Sequence, residues 1–345
     1  MVALFNTTGS QVVKRLAEER RFAGGVTSGL ALTLIVITDD GGVPEAEAAA
    51  TIAAQQHPTR VLIVVRRHVL SQESQLDAEI VVGGRLGPCE AVVMRMQGRL
   101  ALHAESVALP LLAPDVPVLT WWRSPPPERI AYDPLGVVAD RRVTDASAAP
   151  DPIAALAQRA ADYVPGDTDL AWTRITPWRT LVASVFDTAS APAVSAEISA
   201  PASDPGAVLL AGWLKTRLGI EPVITNGPKR LNRIELVLSD GVLMSIVKGE
   251  GEATLRRTSY PDRTMPLLDR ALGEELAEEL SRLDPDQPYA HALGAAMGRN
   301  GELPGVTTDL TAGTLGGSDR VGRREHIWHD PALAERPEQS GRGSS

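Results

Sequence analysis

The stretch Leu30 to Ile37 is apolar at every position except Thr33 and is rich in β-branched residues. A strand with one wet face alternates apolar and polar residues, so a strand that reads apolar throughout is covered on both faces. The next segment completes a unit. Pro44 stands at a helix start, the Ala-rich run Glu45 to Gln56 follows, His57-Pro58 stops it, and Val61 to Val65 is a second buried run. Strand, helix, strand predicts a right-handed βαβ crossover with the Leu30–Ile37 strand inside the sheet.

Around this core the pattern extends in both directions. Gln11 to Arg21 has helical spacing. Ala78 to Gly83, Ala91 to Met96 and Val116 to Trp122 read as further strands, the last of them ending the sheet. Pro152 to Tyr163 is a helix, and Thr176-Pro177 offers an N-cap and an N1 proline for another running to about Phe186. These two helices are expected to close the first domain. Residues 187–205 shift to Ala, Ser and Pro, which marks a boundary. Beyond it come a strand at Val194 to Ile198, a helix at Ala207 to Leu218, and strands at Arg233–Leu238, Val242–Lys248 and Glu252–Arg257. Ser239-Asp240-Gly241 is a hairpin turn signal between the first two of these three strands. Helices at Met265 to Leu283 and Tyr289 to Met297 complete the unit. The expectation is an α/β fold: an open, mostly parallel sheet with flanking helices over residues 1–190, then a smaller α+β domain with an antiparallel sheet over 191–300. Residues 301–345 carry no periodicity and are expected to form a flexible tail. The length of 345 residues suits two cores.

A net charge of −9 disfavours nucleic acid, whose binding needs clustered Lys and Arg. No apolar run approaches the roughly 20 residues of a spanning helix, and the first residues lack a basic-then-apolar signal. With one cysteine, Cys89, no internal disulfide forms, which fits a cytoplasmic protein; a small buried apolar role is the expectation for it.

The usual catalytic arrangements fail one by one. Gly24, Gly25 and Gly29 precede the first strand, on the wrong side for a dinucleotide pyrophosphate. Gly212-Trp213-Leu214-Lys215-Thr216 has the end of a phosphate loop without its glycines. His103-Ala104-Glu105 lacks the paired cysteines of a zinc deaminase, and His326 with His329 lacks a third ligand. Ser245 and Lys248 sit three apart on an expected strand and so face opposite sides. No catalytic residue, cofactor or metal is expected.

Tryptophan and arginine remain. Four of the six tryptophans, Trp121, Trp122, Trp172 and Trp178, lie close together in a chain with 4% aromatics. Trp121-Trp122-Arg123 ends a strand and runs into Ser124-Pro125-Pro126-Pro127. Neighbours on a strand face opposite sides, so the two indoles cannot share a core, and one is expected to be exposed. In Asp169 to Arg179, helical spacing aligns Trp172, Ile175 and Arg179, and pairs Arg174 with Trp178. Trp and Arg dominate binding energy at protein interfaces, so Trp121, Trp122, Arg123, Trp172, Arg174, Trp178 and Arg179 are the candidate partner contacts. The competing reading makes the indoles core and the arginines their cover.

His57-Pro58-Thr59-Arg60 before an apolar strand, Pro117-Val118 to Arg123 followed by prolines, and the string D-L-x-W-x-R-x-T-P-W-R at Asp169 to Arg179 leading to Leu181–Asp187 resemble the glucose-6-phosphate dehydrogenase assembly protein family, OpcA. The resemblance runs to about residue 300. It implies a two-domain cytosolic bacterial protein, itself non-catalytic, that promotes oligomerisation or allosteric activation of glucose-6-phosphate dehydrogenase in the oxidative pentose phosphate pathway. Members under thioredoxin control use cysteine pairs, which this chain lacks. Two rival readings stand beside it: an enzyme or sensor taking a small anion such as a sugar phosphate at the strand ends, and a scaffold without kinetic effect. The first requires Arg123, Arg174 and Arg179 to converge in a concave pocket.

Overall fold

Two sheets organise the chain, and the apolar runs build the first. A computed structural model describes residues 1–23, 29–55, 58–83, 89–186, 189, 191–299 and 303. The first sheet contains β1 (Val2–Leu4), β2 (Leu32–Thr38), β3 (Thr59–Arg67), β4 (Gln75–Val82), β5 (Glu90–Gln97), β6 (Val118–Trp122), β7 (Arg141–Thr144) and β8 (Asp167–Asp169) in the order β1-β4-β5-β3-β2-β6-β7-β8. From β5 to β8 every pair is parallel, while β4 pairs antiparallel with β5 and β1 with β4. All seven residues of β2 are buried, as an all-apolar interior strand requires.

Helices α1 (Gly9–Phe22) and α2 (Val43–Ala54) cover opposite faces. Val12 and Leu16 of α1 share a core with Ile35, Ile37, Leu62 and Val64. Ala46, Ala49, Ala50 and Ala53 of α2 share the other with Leu34, Val36, Ile63 and Val65. Three single turns, α3 (Arg99–Leu102), α4 (Glu105–Ala108) and α5 (Pro134–Val137), fill the crossovers. The strand at Val116 to Trp122 does not end the sheet: β7 and β8 continue it, and no apolar run announced them.

Next come α6 (Pro152–Asp162), α7 (Leu170–Arg174) and α8 (Thr176–Phe186), then β9 (Ala193–Ala200), α9 (Pro205–Leu218), β10 (Val223–Asn226), β11 (Arg233–Leu238), β12 (Leu243–Lys248), β13 (Glu252–Arg257), β14 (Arg263–Pro266), α10 (Leu272–Leu280) and α11 (Gln287–Ala296). The second sheet has the order β10-β9-β11-β12-β13-β14. It is mixed, which corrects the antiparallel expectation: β10 runs parallel to β9 because α9 makes the crossover between them. The helix expected over Met265 to Leu283 is also corrected. Arg263–Pro266 pairs with β13 as an edge strand, and the helix begins only at Leu272. Asp286, Asp204 and Asp151 each cap the helix that follows, ahead of a proline in its first turn.

The described residues all fall within one unit, Met1–Thr308. Buried residues of α6, α7 and α8, among them Leu156, Trp172, Trp178 and Leu181, share their core with Ile198, Leu210, Ile234, Leu236 and Leu293. Helices α6 and α8 therefore contribute to the second sheet's core, while Leu170 of α7 lies in the α2-side core of the first. In return, α10 packs on α2, with Leu276 and Leu280 in the α2-side core. Around the boundary expected near residue 190, Asp187, Thr188 and Ser190 lie outside the described residues, as does the expected tail apart from Leu303. Leu303 is buried in the second core. Among the described residues, no helix is long and apolar enough to cross a membrane.

Candidate functional site

The segment Asp169 to Arg179 lies where α10 and α11 return to the end of the first sheet. Asp169 closes β8 and starts α7: its carboxylate accepts from the amides of Ala171 at 2.9 Å and Ala146 at 2.9 Å, and from the Thr144 hydroxyl at 2.6 Å. Burial, reinforced by the neighbouring Asp145 carboxylate, pushes its pKa up to about 6. Ile175 breaks the helix, leaving α7 and α8 as two short pieces.

The side chains that follow are pinned from several directions. The Trp172 indole Nε1 donates to Asp286 Oδ2 at 2.9 Å, and its ring lies 5.9 Å from that of Tyr289. The Arg179 guanidinium sits 3.6 Å from the centre of the Trp172 indole, and burial brings its pKa down to about 10. Thr173 donates to Glu279 Oε1 at 2.5 Å. Glu279 also accepts from Arg141 at 2.6 Å, and both side chains of that pair are 0% exposed. Arg174 grips Glu275 with two bonds of 2.8 and 2.6 Å and reaches Asp145 at 3.1 Å and the Ser147 hydroxyl at 2.8 Å. Burial opposes its charge, yet the bonds from Glu275 and Asp145 outweigh that and hold its pKa above the ordinary arginine value. Thr176 donates to Glu278 at 3.0 Å. The string is thus a polar joint that clamps α7 and α8 onto α10.

Trp121 and Trp122 end β6, with relative exposures of 1% and 2%; Trp172 is at 0% and Trp178 at 5%. The expectation that one of Trp121 and Trp122 is exposed is corrected. Alternation does send them apart, Trp121 to the α2 side and Trp122 to the α1 side, but helices cover both faces and both indoles are core. Trp121, Trp122 and Trp172 are wholly enclosed, while Trp178 lines a cavity. Arg123 pairs with Glu45 in the first turn of α2, Arg179 stacks on Trp172, and Arg174 lines a cavity whose walls include neither of the other two. The convergence demanded by a strand-end anion site built on Arg123, Arg174 and Arg179 is absent.

Sequence reasoning missed the carboxylates that organise the joint: Asp145, Glu275, Glu279 and Asp286. A signal existed in α10. Leu276 and Leu280 mark its buried stripe, and Glu275 and Glu279 lie beside it at helical spacing, 2% and 0% exposed. Carboxylates so placed require buried cations. Cys89 is buried, as expected, and burial raises its thiol pKa. Among the described residues, no three His, Cys, Asp or Glu side chains group to hold a metal ion. His326 and His329 lie outside the described residues.

Comparison with known proteins places these residues in context. Residues 50–161 match a family model described as the N-terminal domain of a glucose-6-phosphate dehydrogenase subunit, and residues 165–293 match one described as its C-terminal domain. A Synechocystis sp. protein that carries the name OxPP cycle protein OpcA is 28% identical over 144 residues, 39% of this chain. The match spans 30% of that relative's length. Among solved structures, the 3-ketoreductase KijD10 of Actinomadura kijaniata gives a TM-score of 0.44 at 13% identity, covering 78% of this chain and 95% of its own. The dehydrogenase MviM of Clostridium difficile gives 0.39 at 8% identity, covering 76% and 95%. Scores of that size assign no chemistry. The two family models, which match in order and together take in well over half of the sequence, show that the chain belongs to the OpcA family.

Proposed function

We propose that this protein is a non-catalytic partner of glucose-6-phosphate dehydrogenase that acts in the bacterial cytosol, promoting assembly of the dehydrogenase and activating it allosterically. The observation that carries this reading is the ordered match of both halves of the chain to models described as domains of a dehydrogenase subunit. The first sheet supports it. In an open α/β sheet, ligands sit outside the carboxyl ends of the strands where the order reverses, here between β2 and β6. A dinucleotide there needs glycines and free amides at the start of the next helix. This chain offers Asp39-Asp40-Gly41-Gly42 and a proline in the first turn of α2. Asp39 caps the Gly42 amide at 2.7 Å, Asp40 pairs with Arg67 and Arg95, and Arg123 pairs with Glu45 nearby. Asp39, Asp40 and Glu45 bring three carboxylates to this place, and the arginines beside them are already paired with Asp40 and Glu45.

Of the seven candidate contact residues, Arg123 stands apart from the joint: it is only partly buried, and its partner Glu45 is exposed. It is the contact we retain. The test measures dehydrogenase rate and assembly mass together, with and without the protein. The isolated protein should reduce no NADP with glucose 6-phosphate, and the dehydrogenase should gain activity and mass in its presence. Arg123→Ala should keep its melting temperature and lose at least about tenfold in affinity for the dehydrogenase. Turnover by the isolated chain would overturn the reading. A mass change without a rate change would reduce the protein to a scaffold.

A further inference from the structure

A cavity of about 290 Å³ opens beside the joint, walled by α7 and α8, the loop before α9, the 227–231 loop and the end of β12. Its lining holds five cationic residues, Arg174, Lys229, Arg230, Lys248 and Arg270, against two acidic ones, Asp204 and Asp269, in a protein of net charge −9. Three of the cations are balanced: Arg174 by Glu275 and Asp145, Lys248 by Asp269, Arg270 by Glu278. Asp204 is committed to backbone donors, one oxygen to the amides of Gly206 and Ala207 and the other to the amide of Leu231. Among the described residues, Lys229 and Arg230 pair with no carboxylate. Two uncompensated positive charges therefore face one concavity. Apolar side chains complete the lining: Trp178, Ile175, Leu231 and Leu267, at 3–5% exposure.

We propose that this cavity binds a small phosphomonoester, its dianion held by Lys229 and Arg230 and its carbon skeleton packed against Trp178. Arginine and lysine together form charge-assisted bonds to phosphate oxygens. The volume lies at the lower end of small-molecule sites, about 300–1,000 Å³, which suits a hexose monophosphate or something smaller. The site goes beyond the dehydrogenase partnership and can be read on the isolated chain.

The experiment is calorimetric titration of the full-length protein with glucose 6-phosphate, with glucose and inorganic phosphate as controls. Tryptophan fluorescence is followed in parallel. Saturable binding of the sugar phosphate is expected, with glucose silent and inorganic phosphate at least about tenfold weaker. The double variant Lys229→Glu, Arg230→Glu should bind at least about tenfold more weakly at an unchanged melting temperature. Absence of binding up to about 10 mM, equal binding by the double variant, or equal binding of glucose would each overturn the proposal. So would a double variant that loses the dehydrogenase while the parent protein binds no phosphate ester. That result would assign the two cations to a protein contact.

Discussion

Replacing Glu279 by Gln removes one charge from the buried centre of the joint and changes little else in shape. Arg141 and Glu279 are both 0% exposed, and the remaining bond of Arg141 goes to the Asp284 carbonyl oxygen. Taking one partner from a buried ion pair leaves the other charge desolvated and uncompensated, a loss of about 3–5 kcal/mol. The Thr173 hydroxyl, 2.5 Å from Glu279, loses its charged acceptor as well, so the upper part of that range is expected. With a urea slope near 3 kcal/mol/M, the midpoint should fall by roughly 1.3–1.7 M. Tryptophan fluorescence reports the transition directly, because Trp172 adjoins Thr173 in the same helix. The double change Arg141→Met, Glu279→Leu should recover most of the loss, because apolar residues of similar volume replace a buried pair at little cost. A single Gln variant costing under about 1 kcal/mol would refute the reasoning, as would additive losses in the double-mutant cycle.

Asp169 has its folded pKa raised to about 6, so the native state holds an extra proton between the unfolded value and pH 6. Stability from this group is full below about pH 4 and falls by about 3 kcal/mol as pH rises through 6; in Asp169→Asn that fall should vanish from thermal unfolding measured between pH 4 and 7, and an unchanged profile counts against it. At Gly212 in α9, an added Cβ would lie 2.1 Å from the Ala292 carbonyl oxygen of α11. Gly212→Ala should therefore lower stability by about 1–3 kcal/mol despite its better helix propensity, and a raised melting temperature would show that the two helices can part freely. Cys89 is buried and is the chain's one cysteine, so dithiothreitol should alter neither the protein's mass nor its effect on the dehydrogenase; a reversible thiol dependence in monomeric protein would contradict this.

The elements that were legible carry their own pattern. β2 and β3 read as continuous apolar runs, β11 matches its expected bounds because it alternates, β13 matches its own as well, and the Asp240-Gly241 turn has Gly241 at a φ of 81°. β7 was invisible for a physical reason. Its sequence Arg-Arg-Val-Thr is fully buried, yet its two arginines are compensated by Glu279 and Asp167, residues distant in sequence. β10 and β14 are short, largely exposed edge strands held by one neighbour each, so no buried face patterns them. The tryptophan pair shows the same limit. Alternation correctly separated Trp121 from Trp122, but whether the second face is covered depends in part on α10, which contributes Leu276 to the core that holds Trp121.

The same dependence explains how the most specific string in the sequence builds an internal joint. In D-L-x-W-x-R-x-T-P-W-R, Asp169 serves backbone donors, Trp172 serves Asp286 and Arg179, Arg174 serves Glu275 and Asp145, and Thr176 serves Glu278. Asp169, Trp172, Arg174 and Thr176 each find their partners within the chain. Interface hot spots behave differently, since their energy comes from area and charge left uncovered until the partner arrives. A change at Trp172 or Arg174 must therefore act first on the joint, and any loss of effect on the dehydrogenase should follow a loss of stability of about 3–5 kcal/mol for Trp172→Ala. Arg123, Lys229 and Arg230 lie outside this network, and a substitution there can change binding while the fold stays intact. If Trp172→Ala abolished dehydrogenase binding at an unchanged melting temperature, the joint would be a contact surface after all, and the division drawn between the two sets of residues would fail.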